Sequence, residues 1–99
     1  MAFVQTITFS TDRMDEMQAL MDRSRQEQSE PSPGLVRITV AKDRDQADRY
    51  MVIAEFESYE LAMQNSARPE TDAMAGEMAK LSSGPPSFGN YDVLSVEEG

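Results

Sequence analysis

Residues Tyr50 to Phe56 read Tyr-Met-Val-Ile-Ala-Glu-Phe, apolar at every position except Glu55. A β-strand sends alternate side chains to opposite faces, so a run of this kind calls for burial on both of them. The chain has 99 residues, which suits one domain spanning positions 1–99 around one core. A domain of this length hides only about 60 to 68% of the surface its unfolded chain exposes, so covering more apolar area against a partner is favourable. The helices of a small one-sheet domain cover one face of an inner strand. The other face needs a second sheet, and an identical copy supplies it.

The neighbouring segments give this strand its setting. Ala2 to Phe9 alternates, with Phe3, Gln5, Ile7 and Phe9 on one side and Val4, Thr6 and Thr8 on the other, which predicts a strand. Ser10, Thr11 and Asp12 offer cap oxygens, Asp15 and Glu16 suit a helix's first turn, and Met14, Met17, Leu20 and Met21 form a stripe on a helix reaching about Gln28. Pro31, Pro33 and Gly34 end it. Leu35 to Ala41 alternates again, with Val36, Ile38 and Val40 against Arg37 and Thr39. After the Tyr50–Phe56 run, Ser58 caps a helix striped by Tyr59, Ala62, Met63 and Ser66. Arg68-Pro69-Glu70-Thr71 interrupts it, and a restart at Pro69 carries Met74, Met78 and Leu81. Gly84-Pro85-Pro86 ends the helical region, and Phe88, Tyr91, Val93, Leu94 and Val96 describe a last strand.

The order is β-α-β-β-α-β. It predicts an α+β, ferredoxin-like fold, in which right-handed crossovers place the helices on one face of a four-stranded antiparallel sheet. The bare face then invites pairing of two sheets across a twofold axis, giving a homodimer.

Composition excludes several functions. With no cysteine and no histidine there is no thiolate, no imidazole base and no axial imidazole for haem, so neither a metal nor a bound cofactor is expected. The acidic pairs Asp12 with Asp15 and Asp43 with Asp45 lack the calcium-loop pattern and read as turn and cap residues. No phosphate-binding loop, dinucleotide fingerprint or serine elbow occurs. A net charge of -9 disfavours nucleic acid and anionic membranes. The charge is uneven: residues 1–50 carry seven basic and nine acidic groups, whereas the second half has only Arg68 and Lys80 against nine acids. A solvated acidic surface accounts for this, and an acidic docking face is the alternative. The first residues resemble no signal peptide, and no run approaches a membrane span, so a cytoplasmic location is expected.

The layout, the Pro33-Gly34-Leu35 entry to the second strand, Glu55-Phe56-Glu57-Ser58 before the second helix, the Pro69 interruption and Gly84-Pro85-Pro86 resemble the antibiotic biosynthesis monooxygenase-like proteins of the dimeric α+β barrel superfamily. That resemblance implies a ligand cavity between the sheet and the helices of each subunit, and chemistry ranging from cofactor-free oxidation of anthrones and quinols to haem degradation. Where haem-degrading relatives carry Trp and an axial His, this chain has Asn65 and Ala75. Where anthrone-oxidising relatives carry Asn, Trp, Tyr and Arg, it has Val52, Phe56, Ala62 and Gly76. Haem chemistry is therefore not expected, and the familiar catalytic set is not retained.

By the same resemblance, Val52 and Phe56 face the cavity, and period-2 alternation sends Tyr50 and Ala54 there while Met51, Ile53 and Glu55 face the partner. The expected pocket lining is Tyr50, Val52, Phe56, Met63, Asn65, Met74 and Met78. Asn65 and Tyr59 are the candidate catalytic residues, since an amide or a phenol can donate to a ligand oxygen. Each has a plainer reading: Asn65 as a helix terminator, the tyrosines as core residues with a hydroxyl at the rim. The methionines suit a pliable pocket wall and core packing equally. Arg37, Thr39, Thr6 and Thr8 could present donors to a cavity or an interface. Two functions follow: a pocket for a small aromatic or polyketide-like ligand with cofactor-independent oxidation, or a non-catalytic binding or assembly module.

Overall fold

The computed structural model describes residues 1–27 and 32–99. Strand β1 (Phe3–Ser10) leads to helix α1 (Met14–Glu27), followed by β2 (Leu35–Lys42), β3 (Arg49–Phe56), α2 (Tyr59–Ser66), α3 (Pro69–Leu81) and β4 (Ser87–Asp92). The four strands form one antiparallel sheet in the order β2-β3-β1-β4, so the two inner strands are β3 and β1. This is the ferredoxin-like α+β arrangement, with the second helical region broken into two helices at Arg68-Pro69. The break is local chemistry: proline has no N–H to give and sits naturally in the first turn of α3, where Glu70 and Asp72 favour the helix dipole.

The helix starts are set by side-chain oxygens. Ser58 Oγ accepts from Leu61 N at 3.2 Å and caps α2. Ahead of α1, the fully buried Thr11 accepts from Arg13 N at 3.0 Å and donates to the Leu81 carbonyl at 2.7 Å, tying the β1–α1 turn to the end of α3. The expected helix end at Gln28 and the Pro31 stop lie outside the described residues.

Register settles which side chains share a face. Directly paired residues point the same way, so Phe3 with Phe56, Ile7 with Val52 and Phe9 with Tyr50 lie on the helix face. There, Phe9, Met17, Leu20, Met21, Val52 and Met78 make one core cluster, and Phe3, Phe56 and Ala62 make a second under α2. The opposite face carries Val4, Thr6 and Thr8 of β1, Met51, Ile53 and Glu55 of β3, and Arg37 and Thr39 of β2. No helix among the described residues covers that face, and Met51 remains 37% exposed. Gly89 keeps the β4 part of this face low, because an added Cβ would come within 2.6 Å of Thr6 Oγ1 and 2.7 Å of the Tyr91 ring.

Gly34 has a different task. Its φ of +65° lies in the left-handed region, its carbonyl accepts from Glu57 N at 2.8 Å, and a Cβ there would stand 2.5 Å from the Leu61 side chain. The Pro33-Gly34-Leu35 entry is thus a close approach of backbone to α2.

One expected element is shorter than its pattern suggests. β4 ends at Asp92, and Leu94 and Val96 are 88% and 74% exposed rather than strand residues. β1 begins at Phe3, and beyond the end of β4 the pairing continues only in the hydrogen bond from Val93 N to the Ala2 carbonyl at 2.9 Å.

Candidate functional site

Between the sheet and the helices lies a mainly apolar, partly open cleft of about 170 Å³. Its floor is the helix face of the sheet: Gln5 and Ile7 from β1, Val52, Ala54 and Phe56 from β3, and Leu35, Ile38 and Val40 from β2. Met21 and Gln18 of α1 form one wall and Met74, Met78 and Thr71 of α3 another, with Asn65 at the end of α2. The floor exists because β2 and β3 both place apolar residues on this face, Leu35, Ile38 and Val40 from β2 and Val52, Ala54 and Phe56 from β3. The cleft stays unfilled because α1 and α3 pack over β1 and β3, and the side chains of edge strand β2 lie beyond their reach. Ile38 and Val40 are 40% and 37% exposed, so the cleft opens along β2.

Several of its polar groups are already engaged. Gln5 donates to Asn90, Gln18 donates to Asp22 at 3.2 Å, Arg25 pairs with Asp22, and Glu70 accepts from Arg68 at 2.9 Å. Asn65 is different: its Oδ1 is buried with no hydrogen-bond partner. A buried amide oxygen left without a donor costs about 1 to 3 kcal/mol, and native structures hold few of them. Among the described residues no cluster of His, Cys, Asp or Glu could hold a metal ion.

Of the residues named from sequence, the structure brings Val52, Phe56, Asn65, Met74 and Met78 together around the cleft. Three stand elsewhere. Tyr50 stacks on Phe9 with ring centroids 5.9 Å apart, at the sheet's end beside the larger core cluster. Met63 packs against the Phe3–Phe56–Ala62 cluster. Tyr59 sits on the outside of α2, half-exposed, with its ring edge-on to Phe3 at 5.3 Å. The alternation that carries the face of Val52 on to Tyr50 fixes a face and leaves open how far along the strand the helices close down. Met51, Ile53 and Glu55 lie together on the uncovered face, Glu55 at 3.7 Å from Arg37.

Leu35, Ile38 and Val40 were not anticipated in the lining. Their signal was present, since Ile38 and Val40 alternate with Arg37 and Thr39 and so share the face of their β3 partners Ala54 and Val52. The positions matched to the anthrone-oxidising set are apolar or bare: Val52 and Phe56 in the floor, Ala62 fully buried, Gly76 exposed on α3. A larger groove of about 290 Å³ runs over the outer surface between α1 and α3, past Arg23, Glu27 and Glu77. It is the more open of the two and has no apolar floor of sheet beneath it.

No protein-family model matches the chain, and no curated protein matches it. Solved structures do. SnoaB, a cofactor-independent oxygenase from Streptomyces nogalater, superimposes with a TM-score of 0.77 at 20% identity, covering 96% of this chain and 95% of that one. A protein of Caulobacter crescentus assigned as an antibiotic biosynthesis monooxygenase gives a TM-score of 0.79 at 12% identity, over 95% and 91% of the two chains. A similarly assigned protein of Nitrosomonas europaea gives 0.70 at 19% identity, over 94% and 90%. The fold is therefore the one these monooxygenase-type proteins share. At such identities the likeness speaks for architecture; the chemistry has to be argued from the cleft.

Proposed function

We propose that this chain acts as a homodimer that binds a small aromatic or polyketide-like molecule in the cleft and oxidises it with dioxygen, without metal, haem or flavin. The observation that carries the reading is the cleft: a mainly apolar gap kept open between sheet and helices, with an unpartnered amide oxygen at its wall. A cavity of about 150 Å³ accommodates benzene, so a space of about 170 Å³ takes one ring, and further rings reach out along β2. A homodimer is supported by the uncovered sheet face around Met51, Ile53 and Glu55. No helix among the described residues is long and apolar enough to cross a membrane, and the reading places the dimer in the cytoplasm.

The chemistry needs no external reductant. An enolisable ring CH₂ loses one proton to water and gives an electron-rich anion. One electron passes to O₂, the radical pair joins as C–OO⁻, which takes back the first proton from water to become C–OOH, and loss of the remaining C–H proton to the hydroxide that leaves as O–O cleaves yields a ketone and water. One oxygen atom ends in each product, and the substrate supplies all four electrons. The chain's part is to strip water from the anion against Val52, Phe56 and Met74 and to offer Asn65's amide N–H groups to the developing oxyanion. Tyr59 packs edge-on against Phe3 and does not line the cleft.

A non-catalytic binding module is the second reading. It is favoured by the apolar or bare side chains at Val52, Phe56, Ala62 and Gly76. Native mass spectrometry of protein purified from its own cells, followed by incubation with anthrones and quinols in air and under argon, separates the two. Oxygenation predicts an air-dependent ketone or quinone; a retained ligand with identical products in air and argon leaves binding alone.

A further inference from the structure

Helix α3 is held unevenly along its length. Its second half is anchored: Met78 is 5% exposed in the core, the buried Thr11 donates to the Leu81 carbonyl at 2.7 Å, and Arg13 donates to the Lys80 carbonyl at 3.1 Å. Its first half, residues 69–76, has no buried side chain. Met74, partly buried, is the residue through which it touches the larger core cluster. Ser58 caps α2 with its hydroxyl, but Arg68 makes no side-chain cap on α3. Arg68 instead pairs with Glu70 at 2.9 Å, and because that carboxylate is half-exposed the pair holds the helix start only weakly.

This half-helix also stands between two spaces. Glu70, Thr71 and Met74 line the cleft on its inner side, and Glu70, Ala73, Met74 and Glu77 line the groove of about 290 Å³ that parts it from α1 on its outer side. A wall with free volume on both sides has room to move. It has joints as well, one at the Arg68-Pro69 break and one at Gly76. Nothing in the fold demands glycine at position 76: its φ is not positive, and a Cβ there would meet no neighbour within 4 Å. A glycine inside a helix weakens it locally about fivefold relative to alanine. Gly76 does so between Met74 in the cleft wall and Met78 in the core.

We infer that residues 69–75 form a lid hinged at Gly76, which swings outward into the groove beside α1 to admit a ligand and then closes over it. The inference rests on the cleft being the ligand site proposed above. Closure answers a need of that site: Ile38 and Val40 leave one side open, so an anion bound there keeps its water until a wall moves onto it. Met74 suits the moving wall, because an unbranched thioether side chain follows the outline of a ring. The ties from Thr11 and Arg13 keep the far side of the hinge still, which confines the motion to the residues that face the ligand.

Hydrogen exchange read by mass spectrometry tests the lid without any ligand. The amides of residues 73–79 bond to carbonyls of the lid, and they should exchange about tenfold faster than those of residues 18–22 in α1, where Leu20 and Met21 are buried. Gly76→Ala should slow exchange at 73–79 about fivefold. Anthrone under argon, where it is not consumed, is the probe for closure. It should protect 73–79 in the wild type, and Gly76→Ala should bind and release it about fivefold more slowly at nearly unchanged Kd. Equal exchange at 73–79 and 18–22 overturns the lid and leaves the cleft as the binding site. So does anthrone binding that neither protects 73–79 nor slows in Gly76→Ala. Anthrone that fails to bind overturns the reading of the cleft, and the lid with it.

Discussion

β1 and β2 have the same length and the same kind of alternation, yet Phe3 and Phe9 of β1 are 3% and 2% exposed while Ile38 and Val40 of β2 are 40% and 37% exposed. The difference lies in sheet order. β1 is an inner strand beneath the helices, whereas β2 is an edge that α1 and α3 leave open at Ile38 and Val40. An alternating pattern thus states which face a residue takes, and the width of the layer above decides whether that face is core or cleft.

The contrast is easiest to break by truncation. Phe56, 1% exposed at the join of both strands, should cost about 3 to 5 kcal/mol as Phe56→Ala, whereas Val40→Ala, at a site already partly wet, should cost under about 1 kcal/mol. Urea unfolding at matched protein concentration measures both. A Val40 penalty as large as that of Phe56 would mean the edge is covered in solution. Gly34→Ala should follow, at about 2 to 4 kcal/mol, since both the +65° φ and the 2.5 Å approach to Leu61 penalise a Cβ. Loss of far-ultraviolet signal at lower urea would report it. Thr11→Val should cost about 1 to 2 kcal/mol, because the methyl leaves the Leu81 carbonyl and Arg13 N–H without their partner. Faster amide exchange confined to the start of α1 and the end of α3 is the accompanying sign.

The same comparison explains what was legible in the sequence. β1 and α1 carry unambiguous periods, β3 is a continuous apolar run, and Ser58 and Pro69 mark the starts of α2 and α3 by direct chemistry, so their places follow from the residues alone. Leu94 and Val96 continue the pattern of β4 without a neighbour to bond to. That depends on where β1 begins, a fact held in another part of the chain. At the site, Met74 and Met78 were accessible through the helical stripe, and Val52 and Phe56 only through the family resemblance. Tyr50 and Met63 share those periods, but neighbouring aromatic rings claim them. Periodicity carries direction, whereas a cavity depends on which elements stop short.

Asn65 tests whether stability and function pull apart at this cleft. As a purely structural residue its orphaned Oδ1 is a cost, and Asn65→Leu, of similar volume and without a polar atom, should raise stability by about 1 kcal/mol. If the amide is kept because a ligand needs it, the same variant should lose most of the retained ligand, or of the air-dependent product, while unfolding at higher urea. Asn65→Asp sharpens the point: the carboxylate keeps the shape and the acceptor but removes the N–H donor. It should stay close to wild type in ligand retention if acceptance by Oδ1 is what matters, and fall with Asn65→Leu if donation to an oxyanion is. A leucine variant that is both more stable and fully functional would return Asn65 to the role of a helix end.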